Sequence, residues 1–142
     1  MNKLDKNILL TVAILGALTI ALGAFGAHGL KEMVSATALD SFNTGIRYQM
    51  YHVLALLVLG FVPANYKDTP STQPLLSAST KRWVFIFFLL GIFLFSGSIY
   101  FLSTQELHGL SVSILGPITP IGGLALMLGW LRLGYGILKL NK

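Results

Sequence analysis

The sequence predicts an all-α fold: an integral membrane four-helix bundle with a short amphipathic helical segment before its second span. Three observations carry this. Of 142 residues, 54% are hydrophobic and only 11% are charged, whereas a soluble domain holds about 25% charged residues to solvate its surface. Continuous apolar stretches fall at about 8–27, 47–63, 83–102 and 118–138. Each comes near the ~20 residues a helix needs to cross about 30 Å of hydrocarbon. The stretches do not alternate in polarity, so they do not suit the strands of a membrane barrel.

The third observation is where the cations sit. With four spans, Lys3, Lys6, Lys67, Lys81, Arg82, Arg132, Lys139 and Lys142 share one side, which leaves only Lys31 and Arg47 on the other. The positive-inside rule then places both termini and the 63–82 loop in the cytoplasm. The same count explains the net charge of +5 without a basic patch, so nucleic acid is not an expected partner. The lipid bilayer is. Helical spans point to an inner or plasma membrane.

One transmembrane domain is expected over residues 1–142, without internal repeat or low-complexity tract. In the first span Ala13, Ala17 and Ala21 repeat every four residues, followed by Gly23 and Ala27, themselves four apart. Small residues so placed let membrane helices approach closely; an internal packing seam is the favoured use, a self-dimer the other. Lys3 and Lys6 before an apolar run also fit a signal peptide, but about eighteen residues is long for its apolar region. Gly29 reads as the residue that ends this helix. Thr37 with Asp40 reads as a capping pair, and Leu39, Phe42 and Ile46 as an apolar stripe lying at the interface. Pro63, Pro70 and Pro74 mark a loop. Lys81, Arg82 and Trp83 mark a membrane boundary. The run Gly116-Pro117-Ile118-Thr119-Pro120 permits an unwound entrance to the last span.

On this topology several polar residues collect towards the outer side: His28, Tyr48, Gln49, His52, Ser96, Tyr100 and Thr119. A polar group in hydrocarbon costs free energy unless paired, so this layer is the candidate polar pocket. At 100° per residue, Gly45, Tyr48, Gln49 and His52 share one helix stripe. Asp40, Thr44, Arg47 and Tyr51 share another, making Asp40 and Arg47 a candidate ion pair. A layer that only staples helices is the plainer use of the same residues. His28, His52 and His108 lack the close spacing of a metal or paired-histidine haem site, so no metal and no cofactor is expected. No acidic residue lies within an apolar stretch, and there is no cysteine, nucleophile elbow or phosphate loop. No catalytic residue is expected, and the chain is not read as an enzyme.

Four ordered segments carry a resemblance. They are Gly23-Ala24-Phe25-Gly26-Ala27-His28-Gly29-Leu30, Thr44 to His52, Phe95-Ser96-Gly97-Ser98-Ile99-Tyr100, and Leu115 to Gly123, closed by Gly129-Trp130. With these the chain resembles the YgdD-like family of small integral membrane proteins of unknown function (DUF423 type), to which a mitochondrial transmembrane protein is similar. The resemblance implies four membrane helices with a retained first span, and no activity, substrate or catalytic residue. It also implies a shorter second connection than 63–82, which makes that loop an elaboration and a candidate contact surface.

The first functional expectation is an accessory or assembly subunit of a membrane complex, bound to other membrane subunits or to a second copy. The alternative is a binding protein for a lipid-like or quinone-like ligand in an outer-leaflet polar pocket.

Overall fold

Capping side chains set where the main helices begin. In the computed structural model, which describes residues 1–65, 75–109 and 112–139, helix α1 spans Lys3–His28, and the Asn2 side chain accepts the Leu4 N–H at 2.9 Å. A 3-10 turn (Leu30–Glu32) leads to α2, Ala36–Phe61. Its cap is Ser35, whose Oγ accepts the Ala38 N–H at 3.3 Å. Two short strands, β1 (Ala64–Asn65) and β2 (Leu76–Ser77), pair in parallel with Ala64 opposite Leu76. Ser77 then caps α3, Ala78–Gly91. The rod continues through a π-helical turn (Ile92–Gly97) into α4, Ser98–Ser103. A short α5 (Gln105–His108) ends at Gly109 with φ +62°, and α6 runs Leu115–Leu138.

Among the described residues, three helical stretches are long and apolar enough to cross a membrane: Lys3–Glu32, Ala78–Ser103 and Leu115–Leu138. The protein is an all-α membrane protein. Helix α2 is as long as α1 but carries Asp40, Asn43, Arg47, Gln49 and His52, and it falls outside that group.

The helices pack mainly in chain order. α1 lies on α2, α2 lies on the π turn and α4, and α3 with the π turn lies on α6, so α1 and α6 form the two flanks. Ile8, Val12 and Leu15 meet Val53, Leu56 and Leu59, and the core continues through Val84, Phe88 and Ile92 to Leu126. α6 approaches through Gly122, Gly129 and Gly136, seven residues apart. A Cβ on Gly122 would overlap the backbone of Leu94 and Phe95. A seven-residue repeat keeps one face of a helix against its neighbour, and glycine there lets the backbones come close.

Several expectations change. The amphipathic segment is not a separate element before the second span, because Ala36–Phe61 is one unbroken helix. Phe42 is 2% exposed, its ring set against Phe25 and Tyr100; an aromatic stripe that finds a protein groove has no need of headgroups. Ser35 rather than Thr37 caps α2. Gly29 does end α1, as its C-cap, in a right-handed conformation (φ −84°), since the chain tightens into the 3-10 turn. The entrance to α6 is not unwound: Pro117 and Pro120 lie in helical backbone, where early prolines remove few hydrogen bonds. Ala13, Ala17 and Ala21 are exposed; the face of α1 that meets α2 is made by Ile8, Val12, Leu15 and Thr19 instead. The middle of the 63–82 loop lies outside the described residues.

Candidate functional site

The polar residues form separate groups at different depths. The first joins three helices. Thr19 of α1 donates its hydroxyl to Leu15 O at 2.6 Å, so towards Gln49 it can only accept. That requirement turns the Gln49 amide: Nε2 donates to Thr19 Oγ1 at 2.7 Å, and Oε1 accepts the Tyr100 hydroxyl at 3.0 Å. Gly45 makes room for the tyrosine, for a Cβ there would stand 2.7 Å from its Cε1. Each such bond between membrane helices is worth about 1 kcal/mol or less. The chain of bonds links α1, α2 and α4.

His52 belongs to a second group. It is the seventeenth residue of a helix that starts at Ala36, so it sits deeper than the sequence placed it. Its Nδ1 lies 2.8 Å from Tyr48 O and its Nε2 accepts the Trp130 indole N–H at 3.2 Å. These partners assign the neutral tautomer with the proton on Nδ1. With both nitrogens engaged, the ring offers no free lone pair to a metal. The Phe88 ring packs edge-on at 5.0 Å.

A third group joins the rod to α6, where Ser98 Oγ and Thr119 Oγ1 share a hydrogen bond of 2.7 Å. Ser96 stands apart. It is fully buried in the π turn, and its hydroxyl has no hydrogen-bond partner among the described residues. Tyr48 is exposed beside Tyr51 and Phe95, and His28 is exposed at the end of α1. Asp40 and Arg47 do approach, at 3.8 Å with both side chains exposed, and Arg47 also donates to Thr44 Oγ1 at 2.9 Å. Among the described residues no three His, Asp or Glu side chains gather as a metal site.

Of the seven candidate pocket residues, only Thr119 lines the polar cavity of this structure. That cavity, about 420 Å³, lies between the start of α2, the end of α4, and α5. Ser35, Thr37, Asp40, Ser41 and Thr44 come from the α2 side, and Ser103, Gln105 and Glu106 from the other. Ile99, Leu102 and Ala38 add apolar wall. Ser35 Oγ donates to Glu106 Oε1 at 3.3 Å across 71 residues of sequence. Polar residues just outside an apolar stretch look like ordinary loop, so a cavity there leaves little trace in the sequence.

Sequence reasoning also missed a polar cluster at the opposite end. Lys81 is fully buried, its ammonium 2.5 Å from Asp5 Oδ1 and donating to Val62 O at 2.7 Å and Gly60 O at 3.2 Å. The starts of α1 and α3 are thereby tied to the end of α2. Lys81 had been counted on the same side of the membrane as Lys3 and Lys6, which flank Asp5, and this was the available signal.

A family model described as a protein of unknown function (DUF423) matches residues 22–123. The chain belongs to the DUF423 family. Among its relatives, the Bacillus subtilis membrane protein YwdK is 37% identical over 94% of this chain and 98% of its own length. A Haemophilus influenzae membrane protein is 38% identical over 94% of this chain and 96% of its own. The Escherichia coli inner membrane protein YgdD is 33% identical over 97% and 94%. No solved structure matches. For this DUF423 chain the matched stretch includes Gln49, Tyr100 and all the lining residues of the cavity, and ends before Trp130.

Proposed function

We propose that the protein crosses an inner or plasma membrane four times, termini in the cytoplasm, and binds a small polar or amphiphilic ligand at its outer end. The observation that carries the binding role is the cavity of about 420 Å³, whose walls mix hydroxyls and carboxylates with Ile99 and Leu102. A concave site with convergent polar groups and apolar wall is the usual form of a small-molecule site. The fourth span is α2. Its length equals that of α1, and the buried polar groups Gln49 and His52 find partners inside the protein, as hydrocarbon requires.

The topology has a direct test. The chain has no cysteine, so Glu32→Cys and Lys139→Cys each supply one thiol on exposed positions. A membrane-impermeant maleimide should label Glu32→Cys in intact cells and Lys139→Cys only after permeabilisation. Labelling of both in intact cells contradicts the proposed orientation.

Native mass spectrometry from membrane vesicles tests the binding role. The wild-type chain should carry a small molecule, and Ala38→Trp, which fills the cavity from its α2 wall, should lose it at unchanged melting temperature. The same bound mass in both proteins, or none in either, counts against the reading.

An accessory or assembly subunit is the second reading. α1 is a flank helix whose Ala13, Ala17 and Ala21 are exposed, a surface a further membrane helix could approach closely. Its expected result in the same spectra is a second protein chain bound at fixed stoichiometry.

A further inference from the structure

Three of the hydroxyl groups around the outer cavity spend their hydrogens within their own helices. Ser41 donates to Thr37 O at 3.1 Å and Thr44 to Asp40 O at 3.1 Å. Ser103 donates to Ile99 O at 2.6 Å. Each is the back-bond of a hydroxyl to the carbonyl one turn earlier. A hydroxyl that donates in this way retains only acceptor lone pairs for anything else.

The ionised groups add to the same bias. Asp40 and Glu106 line the cavity, from α2 and α5, and no Lys, Arg or His is among its lining residues. A cation already uses this acceptor-rich wall, since Arg47 donates to Thr44 Oγ1 at 2.9 Å. Arg47 holds Asp40 only loosely, at 3.8 Å with the two side chains 53% and 80% exposed. An exposed pair of that kind is weak and exchanges readily.

Resting on the binding role above, we infer that the cavity takes a protonated primary amine bearing a short apolar tail. Three N–H donors on one positive nitrogen meet the hydroxyl and carboxylate acceptors, and Ile99 and Leu102 receive the tail. An alkylamine has a pKa near that of lysine, about 10.4, and is charged at neutral pH. Quaternary ammonium has the charge without the donors, an alcohol has one donor without the charge, and a carboxylate has the wrong sign.

Amide chemical shifts of the labelled full chain in lipid nanodiscs test this with butylammonium, butyltrimethylammonium, butanol and butyrate as probes. Reading shifts at residues 35–44 and 103–106 separates cavity binding from partition into lipid. Butylammonium should bind about tenfold more tightly than butanol, the scale of a charge-assisted hydrogen bond. It should also exceed the trimethyl probe, and Asp40→Asn with Glu106→Gln should bring it down to the alcohol. Both carboxylates are exposed, so the variant is expected to keep its fold, checked by unchanged shifts elsewhere. Equal binding of butylammonium and butanol, or of wild type and variant, overturns the amine assignment and leaves a ligand cavity standing. Shifts confined to lipid-facing residues for all four probes overturn both.

Discussion

Lys81→Met is expected to destabilise the protein by about 3–5 kcal/mol, the range for removing one partner of a buried ion pair. The ammonium is wholly buried, and it answers Asp5 together with the Gly60 and Val62 carbonyls. Those carbonyls belong to the end of α2, where the helix leaves acceptors without internal partners and carries partial negative charge. Methionine matches the length of the lysine stem but returns none of these bonds, and Asp5 keeps a carboxylate that is only 16% exposed. Asp5→Leu should be damaging for the converse reason, leaving the ammonium short of its countercharge. The double variant should recover much of either loss, because replacing both charges by apolar groups removes the desolvation cost along with the attraction. Equilibrium unfolding in mixed micelles of the four proteins gives the coupling directly. Simple additivity of the two single losses would mean that the pair is not the unit described here.

The two ends of the molecule were unequally legible in its sequence. Three of the four long helices follow from uninterrupted apolar runs, a signal that needs no knowledge of neighbours. The Asp40–Arg47 approach was legible too, since a seven-residue separation on a helix fixes geometry locally. Lys81 was not. A cation beside a loop is most simply read as solvated, and only the arrival of Asp5 from 76 residues away makes it a core residue. The π turn at Ile92–Gly97 has no periodic signature, being one wide turn inside an apolar run.

The polar layer fared in between. Gly45, Gln49 and His52 are buried on one stripe as helical spacing demands, whereas Tyr48 at its edge is turned out beside Phe95. Spacing defines a stripe without saying what it meets. For that reason the conspicuous alanines of α1 face outward, and His52 finds Trp130 rather than Tyr100. The cavity was hidden for a different reason. It is built where the start of α2, capped by Ser35, stands against α5, and the sequence reading began the second span eleven residues later, at 47 rather than at Ala36.

The glycines of α6 rank their own substitutions. Gly122→Ala should cost about 3 kcal/mol, the upper part of the usual overpacking range. Its Cβ would fall 2.6 Å from Leu94 C and 2.7 Å from Phe95 Cα, closest of all to Phe95 N. These are backbone atoms of the π turn, which no side-chain rotation can withdraw. Gly129→Ala meets the Phe88 ring at 2.5 Å, and a ring can shift, though here it is held between His52 and Trp130. The loss should be smaller but clear. Gly123→Ala finds only ordinary contact with Phe95 at 3.6 Å, and Gly134→Ala finds nothing within 4 Å. These two should be neutral, or gain up to about 1 kcal/mol by giving the helix a better former. Helix composition and mean hydropathy change identically in all four variants, so differences among them report interhelical approach alone. Mixed-micelle unfolding of the series decides it: if Gly122→Ala unfolds like Gly134→Ala, α6 does not meet the π turn at this distance. The expected order instead makes Gly122 the point where the flank helix is locked to the rod. The Ser98–Thr119 bond, one turn away on the same pair of helices, then depends on that close approach to bring Thr119 to the cavity wall.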